Sequence, residues 1–309
     1  MAKIFVTGGT GFMGSHIVEL LLQQGHDITV LTSSSSIHPN IQHLQKRIRL
    51  VRGNFGNYQL VLQHLETVDI IVHIAWTTVP KTASENPIYD AQSNVIGSIH
   101  LLEAAVTAKV KKVIFISTGG ALYGVPQYTP IDEKHPIQPI SAYGISKMAF
   151  ERYLHFFYQN KGLDYCIFRI ANAYGTRQNM TKNQGVIGIW LQRFLQQQPI
   201  EIWGDGSIVR DYVYVTDVAQ IIANSLTYSG PEKVFNVGSG CGYSLNEILE
   251  VCQNVTQIEA NIQYHKGRSF DVPVNILSIQ KAQEELKWQP TTSIHRGIEA
   301  TWQWLQDRV

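Results

Sequence analysis

Cysteine is scarce in this sequence: Cys166, Cys241 and Cys252 are the three in 309 residues. They are too few and too scattered for a disulfide framework or a zinc site. An excess of charge of either sign is also missing. Twenty-five Lys and Arg against 24 Asp and Glu leave a formal net charge of +1. The basic residues do not cluster, so no nucleic-acid partner is expected. No apolar run approaches the ~18 residues of a membrane span, so no membrane partner is expected either. Met1-Ala2-Lys3-Ile4-Phe5-Val6-Thr7 runs directly into a strand pattern, so no secretory leader is expected. Together with the low cysteine content, this leads us to expect a reducing, cytoplasmic setting. None of the 11 histidines stands four residues from another with an acid nearby, so no metal site is expected.

What the chain does have is a rhythm. Short β-branched runs at 3–7, 27–32, 48–52, 68–75, 112–118 and 164–170 read as strands. Amphipathic stretches at 12–24, 58–66, 88–108 and 142–160 read as helices between them. Strands alternating with helices imply parallel pairing through right-handed crossovers, hence a doubly wound sheet. Val113-Ile114-Phe115-Ile116 is apolar on both faces, as a strand covered by helices on both sides must be. After Ile170 the rhythm changes to shorter helices and strands. We therefore expect two units: a dinucleotide-binding one over 1–170, and a smaller α/β substrate-binding one over 171–309. One helix near 217–228 is a candidate to return to the first unit.

Between the first strand and first helix stands Thr7-Gly8-Gly9-Thr10-Gly11-Phe12-Met13-Gly14. Glycines alone would say little, but this position after a strand and before a helix makes them informative. Gly8 permits a tight turn, Gly11 lets the backbone approach a pyrophosphate, and Gly14 lets the helix pack close to the strand. Phe12 and Met13 open the helix, whose free N–H groups and positive dipole end suit phosphate. These features predict a Rossmann-type fold holding a nicotinamide dinucleotide. An acid at the end of the second strand would bond the ribose diol of NAD. That strand ends instead in Thr32-Ser33-Ser34-Ser35-Ser36, whose hydroxyls are compatible with NAD or NADP.

Further on, Tyr143-Gly144-Ile145-Ser146-Lys147 opens a predicted helix. Residues four apart share a helix face, so Tyr143 and Lys147 project together. A Lys ammonium beside the phenol, with a nicotinamide cation, would favour phenolate and make Tyr143 an acid/base. An isolated pair of this spacing is most often an ordinary surface pair. Downstream of the glycine turn the catalytic reading prevails.

In these marks the chain resembles the extended short-chain dehydrogenase/reductases, within the NAD-dependent epimerase/dehydratase family and nearest its UDP-glucose 4-epimerase-like members. The likeness covers almost the whole chain. It rests on the glycine turn, His73-Ile74-Ala75, Asn94-Val95-Ile96-Gly97, Ser117-Thr118-Gly119-Gly120-Ala121-Leu122-Tyr123-Gly124 and the Tyr143–Lys147 segment. It rests also on Arg169-Ile170-Ala171-Asn172-Ala173-Tyr174-Gly175, Gly204-Asp205-Gly206-Ser207-Ile208-Val209-Arg210-Asp211-Tyr212 and Arg268-Ser269-Phe270-Asp271-Val272.

The resemblance implies roles. Tyr143 would be the acid/base, and Lys147 would hold the nicotinamide ribose. Ala75 and Asn94 would belong to the cofactor site, and Asn54-Phe55 would lie against the adenine. Asn172 would contact a nucleoside-diphosphate sugar near its phosphates, and Arg210 and Arg268 would clamp the diphosphate. A surface salt bridge between Arg210 and Asp211 is the plainer alternative for Arg210. Many relatives carry a catalytic Ser or Thr at the position of Gly119. Here Thr118 is the first candidate for that hydroxyl, and Ser117 the second. A dehydratase would need an acid pair where Gly119-Gly120 stand. The implied activity is C4 epimerisation of a nucleoside-diphosphate hexose through transient oxidation by bound NAD, in polysaccharide precursor synthesis. The rival is an NADPH-dependent reductase of a 4-keto-6-deoxy nucleotide sugar. The resemblance also implies a homodimer joined through helices 88–108 and 142–160.

Overall fold

The computed structural model describes residues 1–34, 39–179, 185–267 and 272–308. The first half runs β1 (Lys3–Thr7), α1 (Phe12–Gln23), β2 (Asp27–Thr32), β3 (Arg49–Arg52), α2 (Tyr58–Leu65) and β4 (Ile70–His73). It continues through α3 (Pro80–Glu85), α4 (Pro87–Asp90), a π-helical turn (Ala91–Ile96) and α5 (Gly97–Thr107). Then come β5 (Lys112–Thr118), α6 (Gly119–Leu122), α7 (Ala142–Lys161) and β6 (Asp164–Ile170). The second half contains β7 (Asn172–Tyr174), α8 (Val186–Leu195), β8 (Ile200–Trp203), β9 (Val209–Tyr214), α9 (Val215–Ser225) and β10 (Val234–Val237). It ends with β11 (Gly242–Ser244), α10 (Leu245–Thr256), β12 (Ile262–His265), β13 (Val274–Asn275), α11 (Gln280–Leu286) and α12 (Ile294–Gln306).

Seven strands form one parallel sheet in the order β10-β6-β5-β4-β1-β2-β3. The expected doubly wound sheet is therefore present. Its strand order reverses beside β1, where a crevice opens at the strands' carboxyl ends. Alternation along each strand sends side chains to both faces. Ile4, Val6, Val30 and Ile114 pack under α1 and α9, while Phe5, Ile71, Val113 and Phe115 pack under α2, α5 and α7. Helix α9 lies against α1 through Val218, Ile221 and Ile222, and β10 extends the large sheet beyond β6. The second half thus supplies both a helix and a strand to the larger layer.

Smaller sheets surround β9, which pairs with β7, β11 and β13, and join β8 to β12. They enclose a separate core of Trp190, Phe194, Ile202, Tyr212, Ile248 and Trp302.

One expected element differs. The single helix over 88–108 is instead the short α4, a π turn and then α5. The π turn carries Asn94, whose buried amide is tied sideways to the chain after β4. Such a widened turn aims a side chain that a regular helix would carry past the site.

Candidate active site

The glycine turn is shaped as its spacing requires. Gly8 has φ +75°, and a Cβ there would stand 2.7 Å from the backbone nitrogen of Ala75. A Cβ on Gly14 would lie 2.1 Å from the carbonyl oxygen of Gly8, so no side chain fits between helix and turn. Gly11 is the N-cap of α1 and offers no side-chain cap, which leaves the first N–H groups at Phe12 and Met13 to another acceptor. The cradle therefore fits a pyrophosphate. Ala75 closes one side of it, its N–H bonded to the Thr7 carbonyl at 3.2 Å. Thr32 is buried at the end of β2, where its hydroxyl accepts the Ser34 N–H at 3.2 Å, and Ser33 is exposed beside it. Asn54 is exposed after β3 and accepts the Gly56 N–H at 2.8 Å. Phe55 turns inward against His73, ring centroids 5.1 Å apart.

His73 ends β4 fully buried. The Thr7 hydroxyl accepts the N–H groups of Ile74 and Ala75, so its own proton goes to His73 Nδ1 at 2.7 Å. Nε2–H then donates to Ser98 Oγ at 2.9 Å. Burial lowers the imidazole to about 3, with the charge of Lys147 pushing the same way. It is a neutral strut, not an acid or base at physiological pH.

Helix α7 begins where Ser141 caps the Gly144 N–H at 3.2 Å, which places Tyr143 in the first turn and Lys147 one turn below it. Lys147 is 2% exposed. Its Nζ donates to the Ile116 carbonyl at 2.7 Å and sits 3.9 Å from the centre of the Trp76 ring and 5.8 Å from that of Tyr143. Burial lowers its ammonium to about 7, opposed by the negative charges of Glu151 and Asp90. Tyr143 moves the other way: burial raises its phenol, and Asp90 raises it further. The expected lowering of Tyr143 by Lys147 is thus not met in the protein alone. The ammonium faces a carbonyl and an indole, and the nearest effective charge on the phenol is negative.

The two candidate hydroxyls at the end of β5 separate clearly. Ser117 is buried and donates to Glu151 at 2.6 Å, inside an ion pair with Arg169. Thr118 is partly exposed and uses its oxygen to cap the Ala121 N–H at 3.2 Å, which leaves its proton free to donate. A Cβ on Gly119 would fall 2.5 Å from a methyl of Leu277, so a side chain there would require Leu277 to shift.

Asn94 is fully buried. Its oxygen accepts the Thr77 N–H at 2.8 Å, and its amide donates to Thr78 at 3.0 Å and Asp90 at 2.9 Å. It orders the chain after β4 from beneath. Asp90, Thr78, Ser146 and Trp76 also belong to this constellation, and the sequence reading did not single them out. Asp90 lies four residues before Asn94 on a helical stretch, a spacing that would have paired them.

On the other side, Asn172 and Arg210 border a cavity of about 270 Å³ lined also by Trp190, Trp203, Tyr212 and Leu245. Asn172 donates to the Asp211 carbonyl at 3.0 Å. Arg210 Nη1 donates to the carbonyls of Val209 at 2.9 Å and Val272 at 2.6 Å. The Asp211 carboxylate is taken up by Ser239, Gly240 and Leu277, so it braces loops and not Arg210. Arg268 lies outside the described residues. Among the described residues, no group of three His, Cys, Asp or Glu side chains is arranged to hold a metal ion, and no helix is long and apolar enough to cross a membrane.

A phosphate cradle at the switch point of a parallel sheet, with a Tyr–Lys pair above it, defines a dinucleotide-dependent enzyme of the Rossmann class. The match is closer than class. The profile of the NAD-dependent epimerase/dehydratase family covers residues 4–238, and the chain belongs to that family. It is 32% identical to the UDP-glucose 4-epimerase of Mycolicibacterium smegmatis, over 99% of each chain. The crystal structure of UDP-glucose 4-epimerase from Thermotoga maritima with UDP-glucose superposes with a TM-score of 0.94 at 35% identity, covering 99% of each chain. The Thermus thermophilus UDP-glucose 4-epimerase in complex with NAD gives 0.91 at 34% identity, over 99% of this chain and 100% of that one.

Proposed function

We propose that this protein is a nucleotide-sugar 4-epimerase that inverts C4 of a UDP-hexose with bound NAD. One observation carries the reading. The Tyr143/Lys147 face of α7 stands near the carboxyl end of β5, where Lys147 donates to the Ile116 carbonyl, and Tyr143 packs edge-on to Trp76, the residue after Ala75 of the glycine cradle. Bound NAD would take a hydride from C4 and return it. Tyr143 removes the O4 proton and later gives it back, general acid–base help worth ~10²–10⁴-fold. Lys147 would hold the nicotinamide ribose through its ammonium. Thr118 orients O4 in preference to Ser117, whose proton Glu151 already holds. Arg210 and Arg268 hold the diphosphate with fixed donors while the 4-keto sugar turns to offer its other face. Gly8, Gly11, Phe12, Met13 and Gly14 take the pyrophosphate. Thr32, Ser33 and Asn54 flank the adenosine side, Phe55 backs that side from the core, Ala75 closes the cradle, and Asn94 keeps the chain after β4 in place.

The assignment of 1–170 to the cofactor and 171–309 mainly to the sugar nucleotide is kept, with α9 and β10 counted on the cofactor side. We place the enzyme in the cytoplasm as a homodimer serving polysaccharide precursor synthesis. The dimer is supported by apolar side chains left open on the helices that would join it: Ile88 is 70% exposed, Ile145 51% and Phe156 52%. The reductase alternative rests on the hydroxyls after β2, and it is not favoured by the NAD complex among the structural relatives.

The test is to purify the protein, identify the nucleotide that accompanies it by mass spectrometry, and incubate it with UDP-glucose, UDP-galactose and their N-acetyl forms. Interconversion of one C4 pair without added cofactor is expected. Consumption of stoichiometric NADPH on a 4-keto sugar, with no interconversion, would overturn the reading.

A further inference from the structure

Asp90 is a buried carboxylate with 0% exposure at the end of α4. Three hydrogen bonds reach it, from the Thr78 hydroxyl, the Ser146 hydroxyl and the Asn94 amide. Among the described residues no Lys, Arg or His forms an ion pair with it. A buried charge without a cation is costly unless hydrogen bonds satisfy it. Here those bonds come from three separate pieces of the site. Thr78 belongs to the chain after β4, Asn94 to the π turn, and Ser146 lies between Tyr143 and Lys147 on α7. Hydrophobic residues would join these pieces at less cost in desolvation, so the retained charge calls for a reason.

We propose that Asp90 is a positioning residue of the reaction centre: through Ser146 and Asn94 it locks the Tyr143/Lys147 turn of α7 to the Asn94 turn, and its carboxylate lies beside that pair. The proposal rests on the reading of Tyr143 as acid/base. The titratable groups around Tyr143 and Lys147 are few. They are Asp90 on α4, Glu151 on α7 with its partner Arg169 on β6, and the neutral His73 at the end of β4. Glu151 is paired with Arg169, whereas Asp90 has no ion-pair partner among the described residues; both carboxylates favour the Lys147 ammonium, Glu151 the more, and Asp90 also acts on Tyr143. A negative charge disfavours phenolate at Tyr143 and favours ammonium at Lys147. It therefore biases both groups toward keeping their protons, and opposes the phenolate until a nicotinamide cation adds its opposing charge.

Asp90→Asn removes the charge and keeps the shape. Both limbs of the pH profile of turnover, the loss of the Tyr143 proton and the loss of the Lys147 proton, should move to lower pH by about one unit. The holoenzyme should still retain NAD. Ser146→Ala keeps the charge and cuts one tether: turnover should fall several-fold with both limbs unmoved. A purely structural role lowers turnover without moving the limbs together. Limbs that stay in place or move apart in Asp90→Asn would overturn the proposal. Should Asp90→Asn not fold, Asp90→Ser, smaller and equally uncharged, reads the same shift. Failure of both to fold with NAD bound would mark Asp90 as structural only and overturn it too. The outcome is separable from the reading it rests on, because that reading falls only if Tyr143→Phe keeps its turnover.

Discussion

Two polar clusters sit one helical turn apart on α7, and they are built on opposite principles. Around Glu151, charge is matched. Arg169 donates to it through Nε at 3.2 Å and Nη2 at 2.7 Å, and Ser117 adds a third donor at 2.6 Å. Arg169 continues to Tyr123 at 2.9 Å, and Tyr123 to Asn236 at 2.7 Å, tying β5, β6 and β10 together. Around Lys147, charge is unmatched. Among the described residues, the ammonium has a carbonyl and an aromatic face but no carboxylate within ion-pair distance, and Asp90 has donors but no ion-pair partner. Satisfied groups hold a structure in place, whereas groups held away from their preferred protonation are poised to exchange protons. On the proposed reading, the first cluster is the floor of the site and the second its working part.

The largest effect should come from breaking the unmatched cluster at its tip. Tyr143→Phe should lower turnover by ~10²–10⁴-fold while NAD stays bound and the urea midpoint barely moves. Turnover within a few-fold of the parent would show the role is misassigned. Next comes the matched cluster. Arg169→Met strands a buried carboxylate and should cost about 3–5 kcal/mol of stability, read from urea unfolding. A stable variant that had instead lost its turnover would invert the comparison. The smallest contrast sharpens the boundary between the two. Thr118→Ala should reduce turnover about tenfold or more, the scale of a lost transition-state hydrogen bond. Ser117→Ala should act mainly on stability, by about 1 kcal/mol. Small, equal effects on turnover would place neither hydroxyl in the reaction.

Which parts of this were legible beforehand follows from how locally each is determined. The glycine turn and the Tyr143/Lys147 face depend on fixed short spacings and on their place after a strand, and the backbone around Gly8 and Gly14 has the shape those spacings imply. The two-faced burial of β5 follows from alternation alone. The π turn was not legible, because Ala91-Gln92-Ser93-Asn94-Val95-Ile96 suits a regular helix and only its bonds to Thr77 and Asp90 widen it. The return of β10 to the large sheet depends on contacts with β6 more than 60 residues earlier. The charge balance of the protein without its cofactor was not legible for the same reason. Tyr143 and Lys147 are neighbours on a helix, but what shifts their protonation, burial first and then the charge of Asp90, is supplied by parts of the chain distant in sequence. Choosing between Thr118 and Ser117 likewise required knowing that Glu151 faces the latter.

The claim that the matched floor holds a site whose chemistry returns everything it takes is tested most directly at C4 itself. The purified holoenzyme is given UDP-galactose carrying deuterium at C4, and the product is followed by proton NMR and mass spectrometry. The account predicts UDP-glucose with the deuterium still on C4 and no net change in NADH. Deuterium lost to water, or left on a nicotinamide released to solution, would contradict it.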